Sequence, residues 1–213
     1  MPHPYYPPSA HIAGFAPNVS PLWQLLPLFG AVLTPVVAGA YRLSRGQALL
    51  DRLAAAWFAL CGFLHVAFEG YYVVNRSSIA ASQAVPAQLW KEYALSDSRY
   101  LTLDVFTVCV ETLTTLILGP LCCFCLVAIL CNWPARHALQ SIVCTMHLYG
   151  VALYYATSLA EDVSYSRPEP LYFWLYYVGF NAPWVFVPLL LLRDSYSQIK
   201  AAFKTAGLKP KSS

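Results

Sequence analysis

Five long apolar stretches, at residues 22–41, 53–74, 104–130, 138–157 and 171–192, are separated by shorter polar ones. Each is about twenty residues or more, enough at 1.5 Å per residue to cross a hydrocarbon core of about 30 Å. The pattern predicts an all-α, polytopic membrane bundle of five transmembrane helices. Pro27 and Pro35 should kink the first helix, and Trp133-Pro134 should end the third. Residues 75–103 break the apolar rhythm: they are polar, contain Pro86, and carry a short helical stretch from Gln88 to Tyr93. This segment predicts a lid over one membrane face between helices 2 and 3, with its aromatics at headgroup depth. A polar, acidic loop at 158–170 separates the last two spans, and no repeat of solenoid period is present.

The flanks complete a three-part organisation. Residues 1–21 hold six prolines and no Lys or Arg, so they predict a non-helical tail without the basic start of a secretory signal. Residues 22–192 form the five-helix domain, and 193–213 a basic tail. Nine Lys and Arg fall on the side holding the first link, the third-to-fourth link and the C terminus, against four on the other. That bias predicts a lumenal or extracellular N terminus and a cytoplasmic C terminus. Lys209 and Lys211 near the end resemble the cytoplasmic dilysine retrieval signal of endoplasmic-reticulum membrane proteins. The sequons at Asn18 and Asn75 lie within a few residues of a span and are expected to stay unmodified.

Composition narrows the class further. The chain is 58% hydrophobic and 11% charged, where soluble domains carry about 25% charged residues. A net charge of +3 argues against a nucleic-acid partner. The seven cysteines sit almost entirely inside apolar runs, so they read as small buried hydrophobes. Cys122, Cys123 and Cys125 suggest a metal cluster, but their span offers no His or acid beside them, and no metal is expected.

The chemistry concentrates in 57–74, WFALCGFLHVAFEGYYVV, where His65 and Glu69 are four residues apart and share a helical face. The third span adds Glu111 with Thr114, and the fifth adds Asn181 with Trp184. A charged residue at the centre of a membrane helix costs about 2.5 to 3.5 kcal/mol on insertion, so these acids should face a protein interior. No Lys or Arg lies at a span centre to neutralise Glu69 or Glu111. Singly, His, Asn and Thr in a membrane are glue between helices, and His147 and Tyr149 are read as structural or as supporting the residues of the site from behind. Together, the set suits the addition of a proton to one carbon of an apolar molecule and its removal from a neighbour. A carbocation between those steps is stabilised by a carboxylate and by an indole face. Proton transfer of this kind requires no metal or organic cofactor.

These residues carry a resemblance. His3-Pro4-Tyr5, Gly14-Phe15-Ala16-Pro17, Gly62-Phe63-Leu64-His65 through Glu69-Gly70, the run WKEYALSDSRY at 90–100, Val110-Glu111-Thr112-Leu113-Thr114, Leu148-Tyr149-Gly150 and Asn181-Ala182-Pro183-Trp184 are similar to the emopamil-binding protein family, the Δ8,Δ7-sterol isomerases of the EXPERA superfamily. The resemblance implies a five-helix endoplasmic-reticulum enzyme that moves a sterol double bond from C8 to C7, protonating C9 and losing a proton from C7. It implies an acid/base group of His65, Glu69 and Glu111, and a sterol-lining, cation-steadying group of Thr114, Asn181 and Trp184. It also implies lipophilic amine ligands, which mimic the cationic intermediate, a membrane-lipid environment, and a homodimer as an assembly compatible with the family. Val151 stands where the vertebrate enzyme has an acid, and is read as shaping the pocket. Two other uses of the bundle remain open at this level: a carbocation-forming terpene or meroterpenoid cyclase, and a non-catalytic sterol-binding membrane protein.

Overall fold

The computed structural model describes residues 3–207. The Lys209 and Lys211 signal lies outside the described residues. Five helices are long and apolar enough to cross a membrane: α1 (Leu22–Leu43), α2 (Leu49–Asn75), α5 (Val105–Leu130), α6 (Arg136–Ala160) and α7 (Leu171–Thr205). Two short helices, α3 (Val85–Tyr93) and α4 (Arg99–Thr102), form the lid between α2 and α5. The protein is an all-helical integral membrane bundle, as the alternation of apolar and polar stretches predicts.

The predicted limits move outward wherever polar residues can go on making helical hydrogen bonds. At the start of α5 the Asp104 carboxylate accepts from the Thr107 amide at 2.9 Å and from its hydroxyl at 3.0 Å, which caps the helix. α7 runs past 192 to Thr205, because its last turns are built from Gln, Lys and Ala, which favour helix. It stops where Gly207 takes the left-handed conformation, φ 69°, and returns its amide to Lys204.

The three helices that carry the predicted chemistry each contain a π-helical segment: Leu64–Glu69 in α2, Thr114–Leu118 in α5 and Leu171–Gly179 in α7. A π turn wraps more residues than an α turn and leaves backbone groups less evenly paired, so it tends to be kept at functional sites. The segments of α2 and α5 pack on each other. Their approach is close because Gly119 has no side chain: a Cβ there would lie 2.7 Å from Val66 Cγ2 and 3.0 Å from His65 Cβ. Small residues at a membrane helix crossing permit this packing. Gly119→Ala should therefore destabilise the protein by about 1 to 3 kcal/mol and displace His65. Thermal unfolding in detergent checks the loss.

The N-terminal segment is docked. Tyr5 donates to the Lys91 carbonyl at 3.1 Å, Asn18 to the Gln88 carbonyl at 2.9 Å, and Lys91 to the Ala16 carbonyl at 2.8 Å. Pinned from outside, α3 turns its aromatic face inward and not toward headgroups. Trp90 stacks on Phe68 with ring centroids 4.7 Å apart and gives its indole N–H to the Phe68 carbonyl at 3.0 Å. A second tie is the ion pair of Asp97 and Arg99, each 1% exposed, with Arg99 also bonded to Thr157 of α6 at 3.0 Å. At the opposite, basic end of the bundle, Arg136 pairs with Asp51 at 3.0 Å.

The cysteines divide. Cys61, Cys122, Cys125 and Cys144 are buried, whereas Cys109, Cys123 and Cys131 are exposed on the outer surface of the bundle, and all seven are free thiols.

Candidate active site

The π turn of α2 sets His65 above Glu69, and the imidazole Nδ1 lies 2.7 and 2.8 Å from the two carboxylate oxygens. A nitrogen that faces a carboxylate carries the proton, so Nδ1–H donates to Glu69. Glu111, on α5, places its carboxyl group beside that of Glu69. It is 8% exposed, accepts from the Tyr100 hydroxyl of the lid at 3.0 Å through Oε1, and leaves Oε2 buried without a partner. Burial, and after it the Glu111 charge, raises the Tyr100 phenol well above its ordinary value. Tyr100 is therefore a fixed donor. Among the described residues no Lys or Arg pairs with either carboxyl group.

The six residues singled out in the sequence do not all meet. His65, Glu69 and Glu111 form one contiguous group. Trp184 joins it, with its ring centroid 6.5 Å from that of His65 and 5.2 Å from that of Trp57, and its indole N–H buried without a partner. Asn181 lies toward the lid instead: its amide donates to the Tyr177 carbonyl at 2.7 Å and to the Tyr93 hydroxyl at 3.4 Å. Thr114 turns its hydroxyl back to the Val110 carbonyl at 2.7 Å. The neighbouring Thr115 keeps a buried, unpartnered hydroxyl, and its methyl group sits 3.3 Å from where a Cβ on Gly70 would be.

Three contributors escape a reading by periodicity. Thr115 is four residues after Glu111, a spacing as good as that of Thr114. Tyr100 reaches Glu111 from outside the bundle. His147, on α6, is 3% exposed and puts Nε2 at 3.1 Å from His65 Nε2. It is not the isolated packing residue that its own span suggests.

The group consists of two neighbouring carboxyl groups and an imidazole bonded to one of them, with the Tyr100 hydroxyl on the other and the Trp184 indole beside the imidazole. Two hollows in the protein lie elsewhere, against α1. One is lined by Phe29, Phe68 and Leu89 among others, and the second by Val37, Tyr41 and Leu60. Neither is lined by the carboxyl groups.

Comparison with known proteins gives the family. Residues 85–195 match the family described as EXPERA (EXPanded EBP superfamily), a stretch that holds the lid, Glu111, His147 and Trp184. The chain belongs to the EXPERA superfamily. Among its relatives is the 3-beta-hydroxysteroid-Delta(8),Delta(7)-isomerase of Cavia porcellus, 34% identical over 94% of this chain and 90% of that one. A probable 3-beta-hydroxysteroid-Delta(8),Delta(7)-isomerase of Oryza sativa subsp. japonica is 33% identical over 99% and 98%. An isomeliandiol synthase of Melia azedarach is 31% identical over 91% and 90%. This EXPERA chain therefore shares almost its whole length with proteins bearing isomerase names and with one bearing a synthase name.

Proposed function

We propose that the protein is a membrane 3β-hydroxysteroid Δ8,Δ7-isomerase that shifts the ring double bond of a sterol from C8 to C7. The observation that carries the reading is the meeting of Glu69 and Glu111, unpaired with any cation, beside His65 in an apolar interior. Adding a proton at C9 places the positive charge at C8, and loss of a proton from C7 forms the new double bond. With one carboxyl group of the pair protonated and the other free, the pair can both give and take. Coupled acids act as a unit, and the two steps belong to the pair. His65 holds Glu69 through Nδ1–H, Tyr100 holds Glu111, and the Trp184 face steadies the cation. Thr115 and Asn181 shape the approach from α5 and from the lid.

The same logic gives the ligands and the setting. A lipophilic amine presents an ammonium where the cation forms and should bind in place of the sterol. The lid faces the lumen of the endoplasmic reticulum and the basic end faces the cytoplasm, a reading supported by the nine-to-four bias in Lys and Arg.

Two experiments bear on this reading. Expression in isomerase-deficient cells, with mass spectrometry of sterols, should convert accumulated Δ8 species to Δ7 species. The likeness to a protein named isomeliandiol synthase supports a second reading, a cation-forming enzyme acting on another terpenoid, and unchanged Δ8 sterols would favour it. Trp184→Ala should reduce turnover more than sterol uptake, since the indole acts on the cation; equal losses would make it a wall only.

A further inference from the structure

Behind His65, on the side away from Glu69, three metal-binding side chains from two helices converge, and a fourth from α5 lies close by. Ligand atoms of Cys61, His65 and His147, all buried, lie within 4.8 Å of one another. Cys122 Sγ is 3.9 Å from His147 Nε2 and adjoins the Cys61 thiol. His147 comes from α6, so no reading of the Cys122 span alone exposes this grouping.

We propose that Cys61, Cys122, His65 and His147 form a Cys2His2 site for zinc or a similar thiophilic divalent cation. The geometry fits. Zinc bonds of about 2.0 to 2.1 Å to nitrogen and 2.3 Å to sulfur place tetrahedral ligand atoms about 3.3 to 3.8 Å apart. The two imidazole Nε2 atoms are 3.1 Å apart and the Cys122 thiol is 3.9 Å from one of them, and since Cys122 lies outside the 4.8 Å group its side chain must move inward to complete the shell. The outer contacts fit as well. A metal-bound histidine typically gives its other N–H to a carboxylate, which fixes its orientation, and His65 already does so with Glu69.

Binding balances in charge. Zn2+ forms two Zn–S bonds, two thiol protons leave, and two neutral imidazoles complete the shell, so the filled site is neutral and tolerable in an apolar interior. The metal occupies the Nε2 lone pair of His65 and holds the ring as the Nδ1–H tautomer. Binding stands on the geometry alone.

The test uses the purified full chain in detergent, stripped with a chelator and titrated with Co2+ as a spectroscopic substitute for Zn2+. One Co2+ per chain should bind with thiolate-to-cobalt charge-transfer bands, release about two protons, and be displaced by Zn2+. Cys122→Ser and Cys61→Ser should each weaken binding more than about 100-fold, beyond the loss typical of an outer contact. Absence of the bands, or bands unchanged in both variants, overturns the site.

Discussion

Glu111→Gln should lower Δ8-sterol turnover by at least about 100-fold, the low end of what a positioned acid or base contributes, while the protein still folds and binds a lipophilic amine. Glutamine keeps the volume of the side chain and can still accept from Tyr100, so the lid contact at 3.0 Å has a substitute partner. What it cannot do is share a proton with Glu69. Turnover by mass spectrometry and amine binding by displacement separate the two properties. Full activity in this variant would remove Glu111 from the chemistry and leave the paired carboxyl groups without a function.

The second large effect is expected at the lid. Asp97 accepts from the Arg99 side chain at 2.9, 3.0 and 2.6 Å and from its backbone amide at 3.0 Å. The Arg99 guanidinium also lies 5.1 Å from the centroid of the Tyr154 ring. Replacing Asp97 with Asn strands a buried guanidinium, and breaking such a pair from one side costs about 3 to 5 kcal/mol. Unfolding in detergent should show that loss. The double variant Asp97→Asn with Arg99→Met should recover part of it, because no charge is left unpaired. Arg99 also sits next to Tyr100, so Asp97→Asn should loosen the Tyr100–Glu111 contact and reduce turnover beyond the loss of folded protein. A double variant no better than the single one would show that the pair is not what holds the lid.

The five spans were legible because a bilayer imposes a length and an apolarity that few other environments require. The buried acids were legible for the related reason that lipid penalises them, and the four-residue spacing of His65 and Glu69 survives the change from α to π winding. That winding itself left no mark in the sequence, since it follows from how α2 and α5 meet at Gly119. It also favours Thr115 over Thr114 in facing α2, which three-residue spacing could not reveal. His147 was passed over because its partner is 82 residues away on another helix. Tyr100 was quoted only as part of a resembling motif, because nothing local shows a lid side chain reaching into the bundle. The aromatic face of α3 was assigned to headgroups because the docked N-terminal segment that covers its other side carries no hydrophobic periodicity.

The central claim is that a proton exchangeable with solvent, held by the Glu69–Glu111 pair, enters the sterol while another leaves it. Turnover of a Δ8-sterol by the purified protein in D2O tests it most directly. The account predicts Δ7 product carrying one deuterium, located at C9, and its near absence with Glu111→Gln. Unlabelled Δ7 product, or labelled product formed equally well by the variant, would contradict it.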